Sequence, residues 1–373
     1  MRHLDVPGRA DRRQGLVLET RRVTEPAGSP RVAIVGAGAW GTTLAVLIAR
    51  TEPVLLLTHD AAAAQRIGTA RENERRLPGV RLPDAVRVAA EPAELAAVAD
   101  LVVYAAPSTH LRSTVERTAP FVAPSADLLS VSKGLENGSL LRMSEVVVDA
   151  GGFHERRVAA LSGPNLASEI ARGLPASAVV AALEPTLADR IVDRVGRREF
   201  RLYVNSDLLG VELCGALKNV IAIAAGAADG LGFGDNGKAG LMTRGLAEMT
   251  RLGIAAGANP LTFAGLAGVG DVIATCGSTL SRNHRLGEEL AKGRPWEEIE
   301  AALPGVAEGA YTVDAALGLA SRFDVEMPIA QEVHKALFEG KSVQRCLIDL
   351  LSRESKDELA DFPAWAERIR ETS

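Results

Sequence analysis

Residues Arg31–Arg50 read RVAIVGAGAWGTTLAVLIAR, a strand pattern that runs through a glycine turn into a helix. Val32, Ala33, Ile34 and Val35 are a short apolar run rich in β-branched residues, suited to a strand buried on both faces. Gly36, Gly38 and Gly41 follow at once in the spacing G-x-G-x-x-G. Thr42–Arg50 then runs on without Gly or Pro, in helix-compatible composition. Each glycine has its own physical role. The first allows a tight turn, the second close backbone approach to a pyrophosphate, and the third close packing of helix on strand. The N–H groups at the helix start favour a bound phosphate. A bare G-x-G-x-x-G also occurs in ordinary glycine-rich turns; the strand before it and the helix after it point to dinucleotide binding.

Val54–Thr58 (VLLLT) reads as the second strand. Asp60, 19 residues past Gly41, stands where a Rossmann unit places an acid for the adenosine ribose 2′-OH. Asp60 is equally suited to cap the next helix, DAAAAQRI, and His59 beside it could instead meet a 2′-phosphate. Arg71–Pro83 is a charged loop closed by prolines. Buried-strand runs recur at Asp100–Ala105, Asp127–Ser132 and Arg157–Ser162. The last two end at Lys133-Gly134 and Gly163-Pro164-Asn165. Strands followed by helical patterns predict an α/β Rossmann domain with a doubly wound parallel sheet. Ligands of such sheets bind outside the carboxyl ends of the strands, so Lys133, Gly163 and Asn165 fall on the cofactor's side. Ala178–Ala182 and Phe200–Val204, with a helix at Leu187–Val195 between them, close the sheet. Past Asn205 strand signals stop and helical stretches continue to about Leu351. The expected organisation is a flexible tail over 1–30, a Rossmann domain over 31–205, an all-α substrate domain over 206–351, and a polar tail over 352–373.

Composition sets the outer limits. At 373 residues, 47% hydrophobic and 24% charged, the chain supports two domains with a sizeable core. A net charge of −5 gives no general attraction to nucleic acid or anionic membrane, so an anionic substrate needs locally placed basic groups. Cys214, Cys276 and Cys346 are far apart and odd in number, which argues for a reducing compartment and against a disulfide frame or zinc cluster. No His/Cys/carboxylate set has metal-ligand spacing. Residues 1–30 lack the apolar core of a secretory signal, and no uninterrupted apolar run reaches membrane-spanning length. The expectation is a cytoplasmic protein with no metal, no nucleic-acid partner and no membrane insertion.

The second half carries its own chemistry. Val211–Ala228, VELCGALKNVIAIAAGAA, reads as an interior helix with Lys218 and Asn219 inside it. Such a lysine either snorkels to water or is buried with a partner. Burial lowers a lysine's pKa and suits it to proton transfer near neutral pH. Asp271 poses the mirror problem in Ala267–Ala274, AGVGDVIA; it either caps a helix or pairs with the lysine. Ser278–Leu290, STLSRNHRLGEEL, sets serines ahead of a helical pattern with Arg282, His284 and Arg285. A helix start with an arginine fork fits a phosphate monoester, while capping serines with surface arginines is the alternative; His284 reads as a bystander.

Taken together these residues resemble the bacterial-type glycerol-3-phosphate dehydrogenase family, from about Arg31 to Leu351. The blocks are GAGAWGTTLA at Gly36, VSKGLENG at Val131, LSGPNLASE at Leu161, ELCGALKNV at Glu212, NGKAGLMTRGLAEM at Asn236, GLAGVGDVIATC at Gly265, LSRNHRLG at Leu280 and VAEG at Val306. The resemblance implies reduction of dihydroxyacetone phosphate to sn-glycerol 3-phosphate with NADH or NADPH, supplying phospholipid synthesis, and a homodimer. It implies that Lys218 transfers the proton and that Lys133 and Asp271 help hold the substrate. Gly163 and Asn165 match substrate contacts, and Ser281, Arg282 and Asn283 match the phosphate-holding group, with Arg282 and Lys133 also near the cofactor. Gly36, Gly38, Ala39, Trp40, Gly41, His59, Asp60, Ala167, Val306 and Glu308 match cofactor positions. Four positions depart from the family pattern. Asn165 stands where many members have Ser, Asp60 where a basic residue is common, Arg76 where Tyr is frequent in N-x-x-Y-L-P-G, and Cys214 where a small residue precedes Gly215. Asp60 argues that NAD is accepted at least as well as NADP. A hydroxy-acid substrate is one rival reading, and it would not need the Ser281-Arg282-Asn283 group; a dinucleotide-sensing regulator without turnover is the other, and the retained Lys218 and Asp271 speak against it.

Overall fold

The computed structural model describes residues 30–354 except Ala99 and Pro304. Of the two expected tails, 1–29 and 355–373 lie outside the described residues. Val32–Val35 (β1) leads into Ala39–Ile48 (α1), and Val54–Leu57 (β2) into Ala61–Ala70 (α2). Val86–Ala89 (β3), Leu101–Tyr104 (β4), Ser108–Thr118 (α3), Asp127–Ser130 (β5), Met143–Gly151 (α4) and Val158–Ser162 (β6) follow. Ala167–Ala171 (α5), Ala176–Ala182 (β7), Pro185–Val195 (α6) and Phe200–Asn205 (β8) complete this half. The strands form one 8-stranded sheet in the order β3-β2-β1-β4-β5-β6-β7-β8. Val32 aligns with both Val54 and Leu101, so β1 is central and the crevice opens where the chain order reverses, between β1 and β4.

Every residue of β1, β2 and β4 is buried, because helices cover both faces. Val32, Ile34, Leu44 and Leu56 belong to the core on one face, while Ala33, Val35, Leu55 and Leu111 belong to the core on the other.

The sheet departs from the expected pattern in two places. It is parallel as far as β6, but β7 runs antiparallel to β6, and β8 is parallel to β7. A parallel return needs a crossover long enough to span a face of the sheet, and the segment between β6 and β7 contains only the five-residue α5. β3 lies beyond the expected strands. Its residues VRVA are mostly half-exposed or exposed at the sheet edge, so the apolar run that marks a buried strand is missing.

The second half is helical: Leu208–Gly230 (α7), Gly234–Ala255 (α8), Pro260–Phe263 (α9), Asp271–Gly277 (α10), Arg282–Ala291 (α11), Trp296–Ala302 (α12), Glu308–Arg322 (α13), Pro328–Phe338 (α14) and Val343–Leu351 (α15). The long, apolar α7 is its axis. Asp207 caps it by accepting from the Gly210 N–H at 2.9 Å. Against it lies α11, backbone to backbone: a Cβ on Gly226 would meet the His284 carbonyl oxygen at 1.8 Å, and one on Gly287 the Ile223 oxygen at 1.9 Å. Leu208–Gly230 and Pro260–Gly277 are long and apolar enough to cross a membrane. In α7 89% of the apolar window is buried inside the protein, which is the place of a core helix.

Candidate active site

The glycine turn joins β1 to α1 at the crevice. Gly36 has φ +120°, and a Cβ there would lie 2.7 Å from the Ala105 carbonyl oxygen. A Cβ on Gly41 would strike the Gly36 oxygen at 2.0 Å, so helix and turn pack closely; one on Gly38 would meet nothing within 4 Å. The middle glycine therefore faces open space. The first-turn N–H groups of Ala39, Trp40 and Gly41 have no intrahelical acceptor, and Gly38 caps α1 without a side chain. A dinucleotide diphosphate fits this open cradle. Thr43 Oγ1 donates to the Ala167 oxygen at 3.1 Å, tying α5 to the same turn.

Other expected cofactor positions differ in what occupies their side chains. Asp60 caps α2, accepting from the Ala63 N–H at 2.6 Å, and that bond holds its carboxyl below the usual range. The exposed His59 has Nε2 3.0 Å from Asp60. Both stand at the carboxyl end of β2. The Trp40 indole packs edge-on against Phe200, ring centroids 5.8 Å apart. Val306 lies half-buried ahead of α13.

Across the crevice the structure brings together four of the expected residues. Lys133 Nζ donates to Asp271 Oδ2 at 2.6 Å and to the Gly163 oxygen at 2.7 Å. Lys218 Nζ lies 3.1 Å from Asp271 Oδ1 and donates to Thr275 Oγ1 at 2.7 Å. Thr275 Oγ1 in turn donates to Asp271 Oδ1 at 2.9 Å. Lys218 is 6% exposed and Asp271 1%, so the lysine does not snorkel. Asp271 begins α10, and its carboxylate serves both lysines. Burial pushes its carboxyl up, but the two ammonium groups outweigh that and hold it below its ordinary value. For Lys133, burial dominates and lowers its pKa to about 8, with Lys218 adding to the effect and Asp271 opposing it. Two ammonium groups share one carboxylate, a charge excess that suits a developing oxyanion.

The backbone is shaped to allow this meeting. Gly163 has φ +132°, and a Cβ there would lie 3.0 Å from Ala178 Cα. A Cβ on Gly215 would sit 2.6 Å from Ser162 Oγ and 3.5 Å from Lys133 Cγ, so α7 seats directly on the end of β6. Both polar side-chain atoms of Asn165 are buried without a protein partner, so its amide remains available to a ligand.

Of the three residues expected to hold phosphate, Ser281 caps α11 by accepting from the His284 N–H at 3.2 Å. Arg282, the first residue of that helix, is exposed. The Asn283 side chain points into the packing instead: Nδ2 donates to Asn219 Oδ1 at 2.9 Å, and Oδ1 accepts from the Gly309 N–H at 3.0 Å. His284 is buried against Asp229, Nε2 to Oδ2 2.8 Å. Glu308, at the start of α13, binds the hydroxyl of Ser108 and lies 3.3 Å from its N–H. Burial pushes the Glu308 carboxyl up, while Ser108 and Arg282 oppose it.

Sequence reasoning missed Thr275, Ser108 and Asn73. Asn73 Nδ2 donates to the Ala37 oxygen and to Thr42 Oγ1, each at 2.9 Å, fastening the charged loop to the glycine turn. For Thr275 a signal existed: it lies four residues after Asp271, on the same helical face.

A Rossmann cradle facing two lysines on a shared buried carboxylate defines a dinucleotide-dependent oxidoreductase. The family models for the N-terminus and the C-terminus of NAD-dependent glycerol-3-phosphate dehydrogenase match residues 31–188 and 207–348, and the chain belongs to that family. It is 46% identical over 329 residues to a Streptomyces coelicolor glycerol-3-phosphate dehydrogenase (NAD(P)+), covering 88% of this chain and 98% of that one. A Chlorobium limicola protein of the same name is 45% identical over 330 residues, covering 88% and 99%. Among solved structures, glycerol-3-phosphate dehydrogenase from Coxiella burnetii superposes with a TM-score of 0.82 at 36% identity, covering 87% of this chain and 99% of that one.

Proposed function

We propose that the protein reversibly reduces dihydroxyacetone phosphate to sn-glycerol 3-phosphate with NADH or NADPH, supplying glycerophospholipid synthesis. The observation that carries this reading is the Lys133–Asp271–Lys218 cluster at the crevice. A dinucleotide held by its diphosphate at the glycine turn would supply the hydride to C2 when bound in reduced form. Lys218 as ammonium donates a hydrogen bond to the C2 carbonyl oxygen, stabilises negative charge there, and gives up its proton to the alkoxide. Asp271 and Thr275 fix the direction of that ammonium. Lys133, Gly163 and Asn165 line the substrate, and Ser281 and Arg282 hold its phosphate; Asn283 supports them through α7 and α13. Gly36, Gly38, Ala39, Trp40, Gly41, Ala167, Val306 and Glu308 form the cofactor site, with Asp60 and His59 at the ribose end and with Lys133 and Arg282 serving both cofactor and substrate. In this reading residues 31–205 form the cofactor domain and 206–351 the substrate domain, in a cytoplasmic homodimer that neither inserts into membranes nor binds nucleic acid.

The test is loss of absorbance at the reduced-nicotinamide band on mixing protein, dihydroxyacetone phosphate and either coenzyme. Turnover with both, NADH serving at least as well as NADPH, is expected because Asp60 would repel a 2′-phosphate. A preference for an α-keto acid would overturn the substrate assignment. Chromatography with light scattering checks the dimer.

A further inference from the structure

Arg76 and Arg282 converge on Gly305. A Cβ built on that glycine, whose φ is +112°, would sit 2.8 Å from Arg282 Nη1 and 3.0 Å from Arg76 Nη1. Two guanidinium groups therefore meet around one point, one from the loop after α2 and one from the first turn of α11. Both arginines are exposed. Among the described residues neither makes a side-chain hydrogen bond or an ion pair. Glu308 acts on Arg282 electrostatically, but its carboxylate is engaged by Ser108. Like charges this close repel; Glu308 offsets part of the charge on Arg282, but among the described residues no carboxylate pairs directly with either guanidinium. An anion bound between them would.

The position of the Arg76 loop says which anion. The Arg76 N–H donates to the Asn73 oxygen at 3.1 Å, and that of Leu77 to the same oxygen at 2.7 Å. The Asn73 amide is bonded to Ala37 and Thr42, the residues that flank the open face of Gly38. Arg76 is thus held at a fixed reach from the start of α1, where the unpaired N–H groups already favour a phosphate. We propose that Arg76 and Arg282 form a two-arginine clamp for the diphosphate of the bound dinucleotide. Arg76 adds a charged contact that the tyrosine frequent at this position in the family does not supply. This rests on the reading that a dinucleotide binds at the glycine turn.

The test uses Arg76→Tyr, Arg76→Ala and Arg76→Lys in the full chain, with calorimetric Kd values for ADP-ribose, NADH and NADPH. ADP-ribose carries the diphosphate but no nicotinamide. A charge-assisted contact on phosphate is worth about a tenfold change in Kd. Arg76→Tyr and Arg76→Ala should weaken ADP-ribose, NADH and NADPH alike by about that factor. Their Kd values should also depend less steeply on salt than the wild-type value. Arg76→Lys should recover part of the loss, since an ammonium keeps the charge but not the bidentate fork. The side chain is exposed, so equal melting temperatures verify folding.

An unchanged Kd for ADP-ribose overturns the clamp. So does a loss confined to NADPH, which would place Arg76 on a 2′-phosphate, or one confined to the KM for dihydroxyacetone phosphate, which would place it on the substrate. Failure of the unmutated protein to bind ADP-ribose would overturn the cofactor site itself and the clamp with it. Failure to reduce dihydroxyacetone phosphate with ADP-ribose binding intact would remove only the substrate assignment.

Discussion

Lys218 belongs to α7 and makes its bonds to α10, remote in sequence from the glycine turn. Lys218→Ala should therefore bind NADH, followed by fluorescence, nearly as the unmutated protein does. Turnover should fall at least ~10²–10⁴-fold, the usual contribution of a positioned general acid. Lys218→Arg should not rescue it, because guanidinium does not release a proton at neutral pH; near-normal kcat in that variant would remove Lys218 from the proton-transfer role. Lys133 gives a pH signature. Burial lowers its pKa to about 8, so it is cationic below that value and loses its charge above it. The kcat/KM for dihydroxyacetone phosphate should fall as pH rises through about 8. Lys133→Arg, lower in activity, should carry that limb to higher pH. A limb left in place would belong to another group. At this scale the sequence marked the charged oddities well: a lysine in an apolar helix and an acid among glycines both demand partners. Thr275 could have been read from its place one helical turn after Asp271, whereas Ser108 and Asn73 were illegible because small polar residues are common on helices and loops, and only the fold shows which one a carboxylate or carbonyl meets.

Elements were legible where burial is symmetric. β1, β2 and β4 are covered on both faces and read as apolar runs, whereas β3 at the edge does not. The reversal of β7 was hidden because its AVVAA run is buried on both faces and reads like the parallel strands beside it. Contacts between elements were hidden too. Glu212 on α7 accepts the Ser144 N–H at 2.7 Å and the Arg142 guanidinium at 2.6 Å, joining the lysine helix to the start of α4, yet in sequence it is one more helical glutamate. Glu248 plays a related part. From α8 it accepts the Ile329 N–H at 2.8 Å and the Ala330 N–H at 3.4 Å, in the first turn of α14. Burial raises its pKa from 4.5 to about 7, against the pull of those bonds and of Arg251 and Arg353. Between these values the folded state holds a proton that the unfolded chain has lost. The stability this group contributes is full below pH 4.5 and is lost as pH rises through 7. The change is on the order of 3 kcal/mol at most. Glu248→Gln should flatten that part of the pH dependence, read as urea midpoints at pH 5 and pH 8. An equal slope in both proteins would mean that the carboxylate is ionised throughout.

The division into a sheet and a helical body was legible at the scale of the whole chain, because period and composition change together near Asn205. How the halves meet was not: the approach of Lys133 to Asp271 joins residues 138 apart. That meeting has a consequence for the molecule's field. The chain carries a net charge of −5, which by itself would repel a phosphoester dianion, and added salt would then speed its capture by screening. The crevice is charged the other way. Lys133 and Lys218 share the single carboxylate of Asp271, and Arg282 lies beside Arg76 without an ion-pair partner among the described residues. Local charge governs the last few ångströms of approach, so salt should slow the reaction. Between about 10 and 150 mM ionic strength the screening length shrinks from roughly 30 to 8 Å. Over that range kcat/KM for dihydroxyacetone phosphate at saturating NADH should fall several-fold. The phosphate-free ketone dihydroxyacetone should show almost no salt dependence, which separates attraction of the phosphate from any effect of salt on the fold. Arg282→Ala should flatten the slope for the phosphorylated substrate, and it should discriminate between the two ketones less than the unmutated protein does. A rise in kcat/KM with salt, or a slope unchanged in Arg282→Ala, would show that the net charge of the chain outweighs the arginine at the helix start.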